Sequence, residues 1–331
     1  MSANRGLWGR GLELDAPAEC ARVSDWIRGE VLTRCRRRGA VVGLSGGVDS
    51  SVVAALSAKA LGAERVLGLM MPERESNPES LSLALRLGEA IGIATKSVEI
   101  TGMLESTGCY SQRDDAIRRL IPEYGEGWKC KMVRGGPAGG GGVPFFLVVV
   151  RDPEGRELRR RPTAEIHRGI MAAMSLKQRT RKMLEYADAD RLLYAVASTP
   201  NRLEYDQGFF VKNGDGAGDL KPIAHLYKTQ VYQLARHLGI PEEICVRPPI
   251  TDTYPLEIGQ DEYFFRLPFA QMDLCLFGKD CGVPAAEVAR AAGMEASDVE
   301  SAFRAIDERR RSAIYLHARA STVDPVPSDL D

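Results

Sequence analysis

Residues 40–56 constrain this chain more than any other stretch. Ala40 to Leu44 is a short apolar run of the length of a buried strand. It breaks at Ser45-Gly46-Gly47, where paired glycines let backbone N–H groups crowd one point. It resumes at Ser50 and continues through Leu56 as a run of helix length. A strand, a glycine turn and a helix start together make an anion site, because the first N–H groups of the helix and its dipole face the turn. This is not a Walker A loop: Val48-Asp49 stands where that motif needs Lys followed by Ser or Thr. An acidic residue in a phosphate loop is explained if it holds Mg²⁺ on a departing pyrophosphate.

The rest of the first half alternates strand and helix. Residues 19–35 carry Val23, Trp26, Ile27, Val31 and Leu32 at helical spacing, leading into the first strand. Residues 65–71 and 95–100 read as further strands, and 78–91 as a helix. This order predicts an α/β fold: a doubly wound, Rossmann-like parallel sheet with ligands at the C-terminal strand ends. Residues 125–144 read by glycine content as a mobile loop, 145–151 as a strand and 157–161 as its hairpin partner. The segment 122–165 is therefore expected as a glycine-rich hairpin insertion on the parent fold. Residues 166–186 predict a long helix, 191–198 a buried strand, and 228–238 an amphipathic helix stopped at Gly239-Ile240-Pro241. Residues 247–259, with three prolines, read as a long surface loop, and 269–277 with 285–311 as a C-terminal helical part. The division expected is a helical lead-in over 1–38, a nucleotide domain over 39–277 and a helical extension over 278–331.

Composition excludes several classes. The 44 basic and 45 acidic residues leave no bias towards nucleic acid or an anionic membrane. The seven cysteines are scattered without a Cys-x-x-Cys pair, which reads as reduced thiols in a cytoplasmic protein. No apolar run reaches the ~18 residues of a membrane span, and residues 1–14 lack the apolar core of a signal peptide. The four histidines are scattered, and none is assigned a catalytic role.

The Ser-Gly-Gly-x-Asp-Ser pattern resembles the pyrophosphatase loop of enzymes that make acyl-adenylates. Asn201-Arg202-Leu203-Glu204-Tyr205, Gly208 to Lys212, Gly214-Asp215-Gly216, Asp219 to Pro222 and Leu226 to Gln230 follow within thirty residues of one another. With the loop, this ordered series resembles the ammonia-dependent NAD synthetase family from about Val41 to Phe277. The resemblance implies that ATP activates the carboxylate of deamido-NAD as an adenylate, which ammonia then converts to the amide.

Site roles follow from the same resemblance. Gly43, Leu44, Ser45, Gly46, Gly47, Val48, Asp49 and Ser50 would wrap the ATP phosphates, Thr199 would touch the adenosine, and Thr251 is a further ATP contact. Asp49 and Glu204 would hold Mg²⁺. Lys228 would reach the phosphates, so Asp49 and Lys228 are the catalytic candidates. Arg179, Lys212 and Asp219 match positions that contact deamido-NAD, which in that family lies at a homodimer interface. The pattern departs at Ser175, where the family has Asn, and at Ser198-Thr199-Pro200-Asn201. Those departures keep open a different carboxylic acid with the same chemistry, and a nucleotide-binding protein without turnover is the reading outside enzymes. About 40 residues precede the core, too few for the ~100–200 residues of a fused glutaminase. Ammonia is therefore expected free or from a separate glutaminase subunit.

Overall fold

The computed structural model describes residues 11–135, 145–250, 253–259 and 261–323. The first element among the described residues is α1 (Ala16–Arg28), whose N-cap Asp15 accepts the Ala18 N–H at 3.1 Å. It then forms β1 (Ala40–Gly43), α2 (Val48–Leu61), β2 (Val66–Met70), α3 (Pro78–Ile91), β3 (Ala94–Ser97), α4 (Thr101–Ser106) and α5 (Cys109–Arg118). A second group of strands follows: β4 (Lys129–Gly135), β5 (Phe145–Arg151) and β6 (Glu157–Arg160). The helix α6 (Ala164–Leu192) returns the chain to β7 (Ala195–Ala197) and α7 (Arg202–Gln207). Then come α8 (Lys228–His237), α9 (Glu242–Val246), α10 (Phe269–Asp280), α11 (Ala285–Ala292) and α12 (Ala296–His317).

The main sheet runs β3-β2-β1-β7, parallel throughout. Its inner strands are apolar on both faces, as a sheet covered by helices on each side requires. Val42, Val66, Ala195 and Ala197 face a core shared with α1, α2 and α8. Val41, Leu67, Leu69 and Val196 face the opposite core, with Leu104, Cys109 and Ala189. The chain leaves β1 towards β2 and β3, then crosses back to β7 on the other side. The junction of β1 and β7 is thus the topological switch point, where open α/β sheets bind ligands.

Several elements differ from expectation, each for a packing reason. Helix α2 is buried almost all round: it packs against the sheet, α1 and α8, and its Ala and Ser residues allow those close approaches. The long helix extends to Leu192, past the expected 186, so only 195–197 remain as strand. Residues 129–135, inside the expected loop, form β4 and pair antiparallel with β5. The hairpin of β5 with β6 is present, so the insertion is a three-stranded antiparallel sheet. Residues 136–144 lie outside the described part. The proline-rich segment is not a surface loop over its described C-terminal part. Tyr254, Leu256 and Ile258 are buried, with Tyr254 and Ile258 packed against the inserted sheet, and Leu256 N–H donates to Cys130 O at 3.2 Å.

One buried charge network ties these parts together. Lys177 on α6 is fully buried and donates to Glu73 Oε1 at 2.6 Å, Glu75 Oε2 at 2.7 Å and the Thr253 carbonyl at 2.9 Å. Arg113 on α5 takes Glu75 in two bonds of 2.8 and 2.7 Å, and the Tyr110 hydroxyl donates to Glu73 at 2.6 Å. The end of β2, α5, α6 and the 253–259 segment thus meet at one ammonium. Removing one partner of such a network leaves an uncompensated charge. Lys177→Met should destabilise the fold by ~3–5 kcal/mol in urea unfolding, because Glu73 keeps no cationic partner. A loss under ~1 kcal/mol would show that the network contributes little.

Candidate active site

The phosphate loop leaves β1 at Gly43. A side-chain carbon there would lie 2.7 Å from Glu185 Oε1, so glycine permits α6 to approach the strand end. Gly46 has φ of 73°, a left-handed conformation, and a Cβ there would lie 2.4 Å from the Ser80 carbonyl oxygen. Ser50 and Ser51 hydroxyls donate to the Gly47 carbonyl at 3.0 and 2.8 Å, and Gly47 N–H donates to Ser45 Oγ at 3.3 Å. The loop is therefore held by its own serines. The α2 N-cap, Gly47, makes no side-chain capping bond, so the helix start remains an anion site.

The second contribution comes from the end of β7. Asn201 caps α7 in a capping box: Glu204 N–H donates to Asn201 Oδ1 at 3.3 Å, and Asn201 N–H donates to Glu204 Oε2 at 3.0 Å. The Asn201 amide also donates to Asp49 Oδ1 at 3.1 Å, locking the β7 loop to the β1 loop. The third comes from α8. Its first residue, Lys228, is 1% exposed and pairs with Asp49 Oδ2. Asp273 on α10 accepts the N–H groups of Lys228 at 3.3 Å and Thr229 at 2.8 Å, so a second helix supplies the cap that aims the lysine. Burial pushes the Asp273 carboxyl up to about 7, against the backbone bonds that lower it.

Asp49, Glu204 and Lys228 thus form one electrostatic unit. Burial, then the neighbouring Asp49 charge, raise the Glu204 carboxyl to about 8, with Lys228 acting in the opposite sense. Burial opposes the Lys228 charge, but Asp49 and Glu204 outweigh it and hold its pKa above the ordinary lysine value. Once Glu204 ionises, two carboxylates face one ammonium, an excess of negative charge that a further cation would relieve. Among the described residues no group of three His, Cys, Asp or Glu forms a ready-made metal cage. Two carboxylates beside a phosphate loop suit instead a hard cation that takes its remaining ligands from phosphate and water.

A cavity of about 750 Å³ opens here, lined by Gly43 to Ser45, Gly47 to Ser50, Thr199, Glu204 and Lys228. Those sequence-predicted residues are brought together, and Gly46 forms the turn behind them. Thr251 lies outside the described residues. Arg179, Lys212 and Asp219 do not line the cavity of this chain. Arg179 Nε donates to the Lys212 carbonyl at 3.3 Å, and Lys212 Nζ donates to the carbonyls of Tyr315 and Ala318 at 2.8 and 2.9 Å. Asp219 accepts the Val196 N–H at 2.7 Å and fastens its segment to β7.

Sequence reasoning missed the cavity face of α6. Met171, Met174, Gln178, Arg181 and Glu185 follow one another at intervals of three or four residues and all line the cavity. That periodic stripe was the available signal. Ser175, the departure noted above, also lines the cavity, but its hydroxyl donates back to the Met171 carbonyl at 2.8 Å. Arg247 on the opposite wall bonds Ser80 Oγ at 3.1 Å.

Strand order, switch-point cavity and serine-held phosphate loop define the class: a doubly wound nucleotide-binding α/β protein of the pyrophosphatase-loop type. A family model for NAD synthase matches residues 19–120 and 159–312, and the chain belongs to that family. It is 49% identical to the NH(3)-dependent NAD(+) synthetase of Rhizobium rhizogenes, covering 98% of each chain. It is 36% identical to that of Thermotoga maritima over 72% of this chain and 79% of the relative. Among solved structures, an NMN synthetase from Francisella tularensis superposes with a TM-score of 0.64 at 20% identity, covering 94% of this chain and 99% of that one. An NH3-dependent NAD synthetase from Campylobacter jejuni gives 0.61 at 20% identity, covering 94% and 100%. At that identity the two structures share the fold.

The raised Glu204 carboxyl gives a pH signature. With no added cation, the folded chain keeps a proton that the unfolded chain releases above its ordinary value of 4.5. Stability should therefore fall as pH rises from about 4.5 to about 8. Glu204→Gln preserves the capping bond and should flatten that part of the melting-temperature profile. An unchanged slope in the variant would assign the titration to another group.

Proposed function

We propose that this chain is an ammonia-dependent ligase that uses ATP to convert deamido-NAD to NAD, releasing AMP and pyrophosphate. The observation that carries it is the convergence of Asp49, Glu204 and Lys228 on the phosphate loop at the switch point. High identity over nearly the whole length of curated NH(3)-dependent NAD(+) synthetases supports the acid and the nitrogen donor.

A substrate carboxylate oxygen attacks the α-phosphorus of ATP, and the bond to the pyrophosphate oxygen breaks. Ammonia then adds to the acyl carbon, and the AMP oxygen leaves with the acyl–oxygen bond's electron pair, while the nitrogen loses a proton. This chain's residues bind and neutralise. N–H groups of the loop from Ser45 to Ser50 hold phosphate oxygens, and Lys228 turns from Asp49 to the phosphates when the nucleotide arrives. Asp49 and Glu204 would hold Mg²⁺, which when bound supplies charge neutralisation on the phosphates. Thr199 lies just past the end of β7, where it would touch the adenosine, and Thr251 would be a further ATP contact. The Lys177 bond to the Thr253 carbonyl holds part of that segment over the cavity, which excludes water from the adenylate.

Arg179, Lys212 and Asp219 lie outside the cavity of one chain, which fits a substrate arm completed by a second copy. The assembly proposed is a homodimer, acting in the cytoplasm on free ammonia or on ammonia from a separate glutaminase. The helices of residues 278–331 are read as an extension on the nucleotide domain of 39–277, behind the lead-in of 1–38. Among the described residues no helix is long and apolar enough to cross a membrane.

Supplying ATP, Mg²⁺, ammonia and deamido-NAD should yield NAD and AMP together. Asp49→Asn should keep the fold and lower turnover by ~10²-fold or more. Near-normal AMP formation in that variant would remove Asp49 from the reaction. A folded, ATP-binding protein that makes no NAD would redirect the assignment to another carboxylic acid. Arg179→Ala should raise KM for deamido-NAD by roughly ten- to a hundredfold, as for one lost bond to a charged group, with kcat little changed. An unchanged KM would place the dinucleotide elsewhere.

A further inference from the structure

A second concentration of positive charge lies behind the aromatic wall of the cavity, and the proposed reaction makes no use of it. Arg309 on α12 is 6% exposed. Its Nη1 donates to Gln207 Oε1 at 2.6 Å, and its Nη2 to the carbonyls of Phe264 and Phe265 at 3.1 and 3.3 Å. Its Nε–H, although buried, meets no acceptor. Neither does the buried Nε2 amide of Gln207. Gln207 is the last residue of α7 and is 2% exposed.

A third orphaned donor, Arg134 Nε, comes from the inserted sheet. Strand β4 packs against the helical turn Asp261–Phe265, the same turn whose end Arg309 grips. Arg266 follows that turn directly. Burial, then repulsion by Arg134 and Arg266, pull the Arg309 guanidinium down to about 9. Burial and Arg266 act in the same direction on Arg134. The opposing field of Glu308 is the weakest of these influences on both.

Buried polar groups are nearly always paired, and an unpaired charged donor is among the costliest exceptions. Here three buried donors, all N–H and two of them on guanidinium groups, lack an acceptor among the described residues. Guanidinium forks match the geometry of phosphate oxygens. We propose that Arg134, Arg309 and Gln207, with added charge from Arg266, form an oxyanion site for a phosphate-type ligand, distinct from the phosphate loop. The Phe264 ring separates the two: it lines the nucleotide cavity and lies 5.3 Å from the Arg309 guanidinium carbon. The family match breaks between residues 120 and 159, so the strand that contributes Arg134 is one the family model does not cover. The ligand is either a free phosphate or pyrophosphate, or the diphosphate arm of a dinucleotide that reaches behind Phe264.

The test compares the full chain with Arg134→Gln. This variant removes no hydrogen bond that the arginine side chain makes and relieves repulsion. Without added anion it should therefore melt at or above the wild type. Arg309→Gln is the less useful variant, because that side chain also holds two backbone carbonyls. With the phosphate loop saturated by a non-hydrolysable ATP analogue, sodium phosphate and sodium pyrophosphate are titrated against sodium chloride of equal ionic strength. Calorimetry should show one phosphate-type anion bound per chain, weakened roughly ten- to a hundredfold in Arg134→Gln by loss of a charge-assisted bond. Stabilisation of the wild type by the anion should shrink in parallel.

A variant that also raises KM for deamido-NAD, with kcat and the KM for ATP unchanged, assigns the anion to the substrate's own diphosphate. Weakened anion binding with unchanged kinetics assigns it to free phosphate or pyrophosphate. Both outcomes are readable whether or not the chain makes NAD, the first through kinetics and the second through binding alone. Equal anion binding and an equal KM in the two proteins would overturn the proposal. So would a phosphate-insensitive wild type whose dimer is lost in Arg134→Gln, since a partner carboxylate would then be the missing acceptor.

Discussion

Asp49 and Glu204 come from opposite sides of the switch point, and bringing a partly buried and a buried carboxylate together is unfavourable unless a cation joins them. Lys228 is that cation. Much of the surrounding structure serves to hold those three groups. The serines of the loop fix the turn from which Asp49 rises, and Asn201 ties the β7 loop to Asp49 while capping the helix of Glu204. Asp273 supplies the helix cap from which Lys228 points inwards. In the proposed reaction a divalent cation and phosphates would arrive at these groups together, since either alone would leave a charge uncompensated.

A second buried network performs a mechanical task. Lys177 joins the end of β2, through Glu73 and Glu75, to the backbone at Thr253. The inserted sheet holds the other side of the same segment, through the Leu256 bond to Cys130 and the packing of Tyr254 and Ile258. The roof of the cavity is therefore shared between the parent fold and the insertion. The insertion also brings Phe146 to the cavity wall, where its ring lies 4.7 Å from that of His167. An element that began as a glycine-rich interruption in the sequence becomes part of the site's enclosure.

The family resemblance and the physics agree most closely where the backbone itself does the work. Gly43 and Gly46 are required by close approach and by a left-handed turn, and no other residue satisfies both neighbours. They agree less closely where a role depends on which neighbour a long side chain finds. Lys212 reaches the carbonyls at the end of α12, and Asp219 anchors β7, so in this chain both have local tasks besides any ligand.

The sequence by itself determined the local pattern: a strand, a serine-glycine loop and a helix at 40–61 and the parallel alternation that follows; its resemblance to the family singled out Asp49, Glu204 and Lys228, which the fold brings together. These were legible because hydrophobic period, glycine spacing and motif order act over a few residues. It left unread the strand at 129–135, whose partner lies across residues of uninformative composition, and the burial of 254–258, which depends on that strand being present. Tertiary structure alone decided that Asn201 would bond Asp49, that Asp273 would cap the helix of Lys228, and that Arg134, Gln207 and Arg309 would each bury one donor that meets no acceptor among the described residues. The sequence separations in the first two cases are 152 and about 45 residues, and only the folded chain brings such polar groups within bonding distance. In water each would be screened and independent; in the interior each sets the protonation and direction of the next.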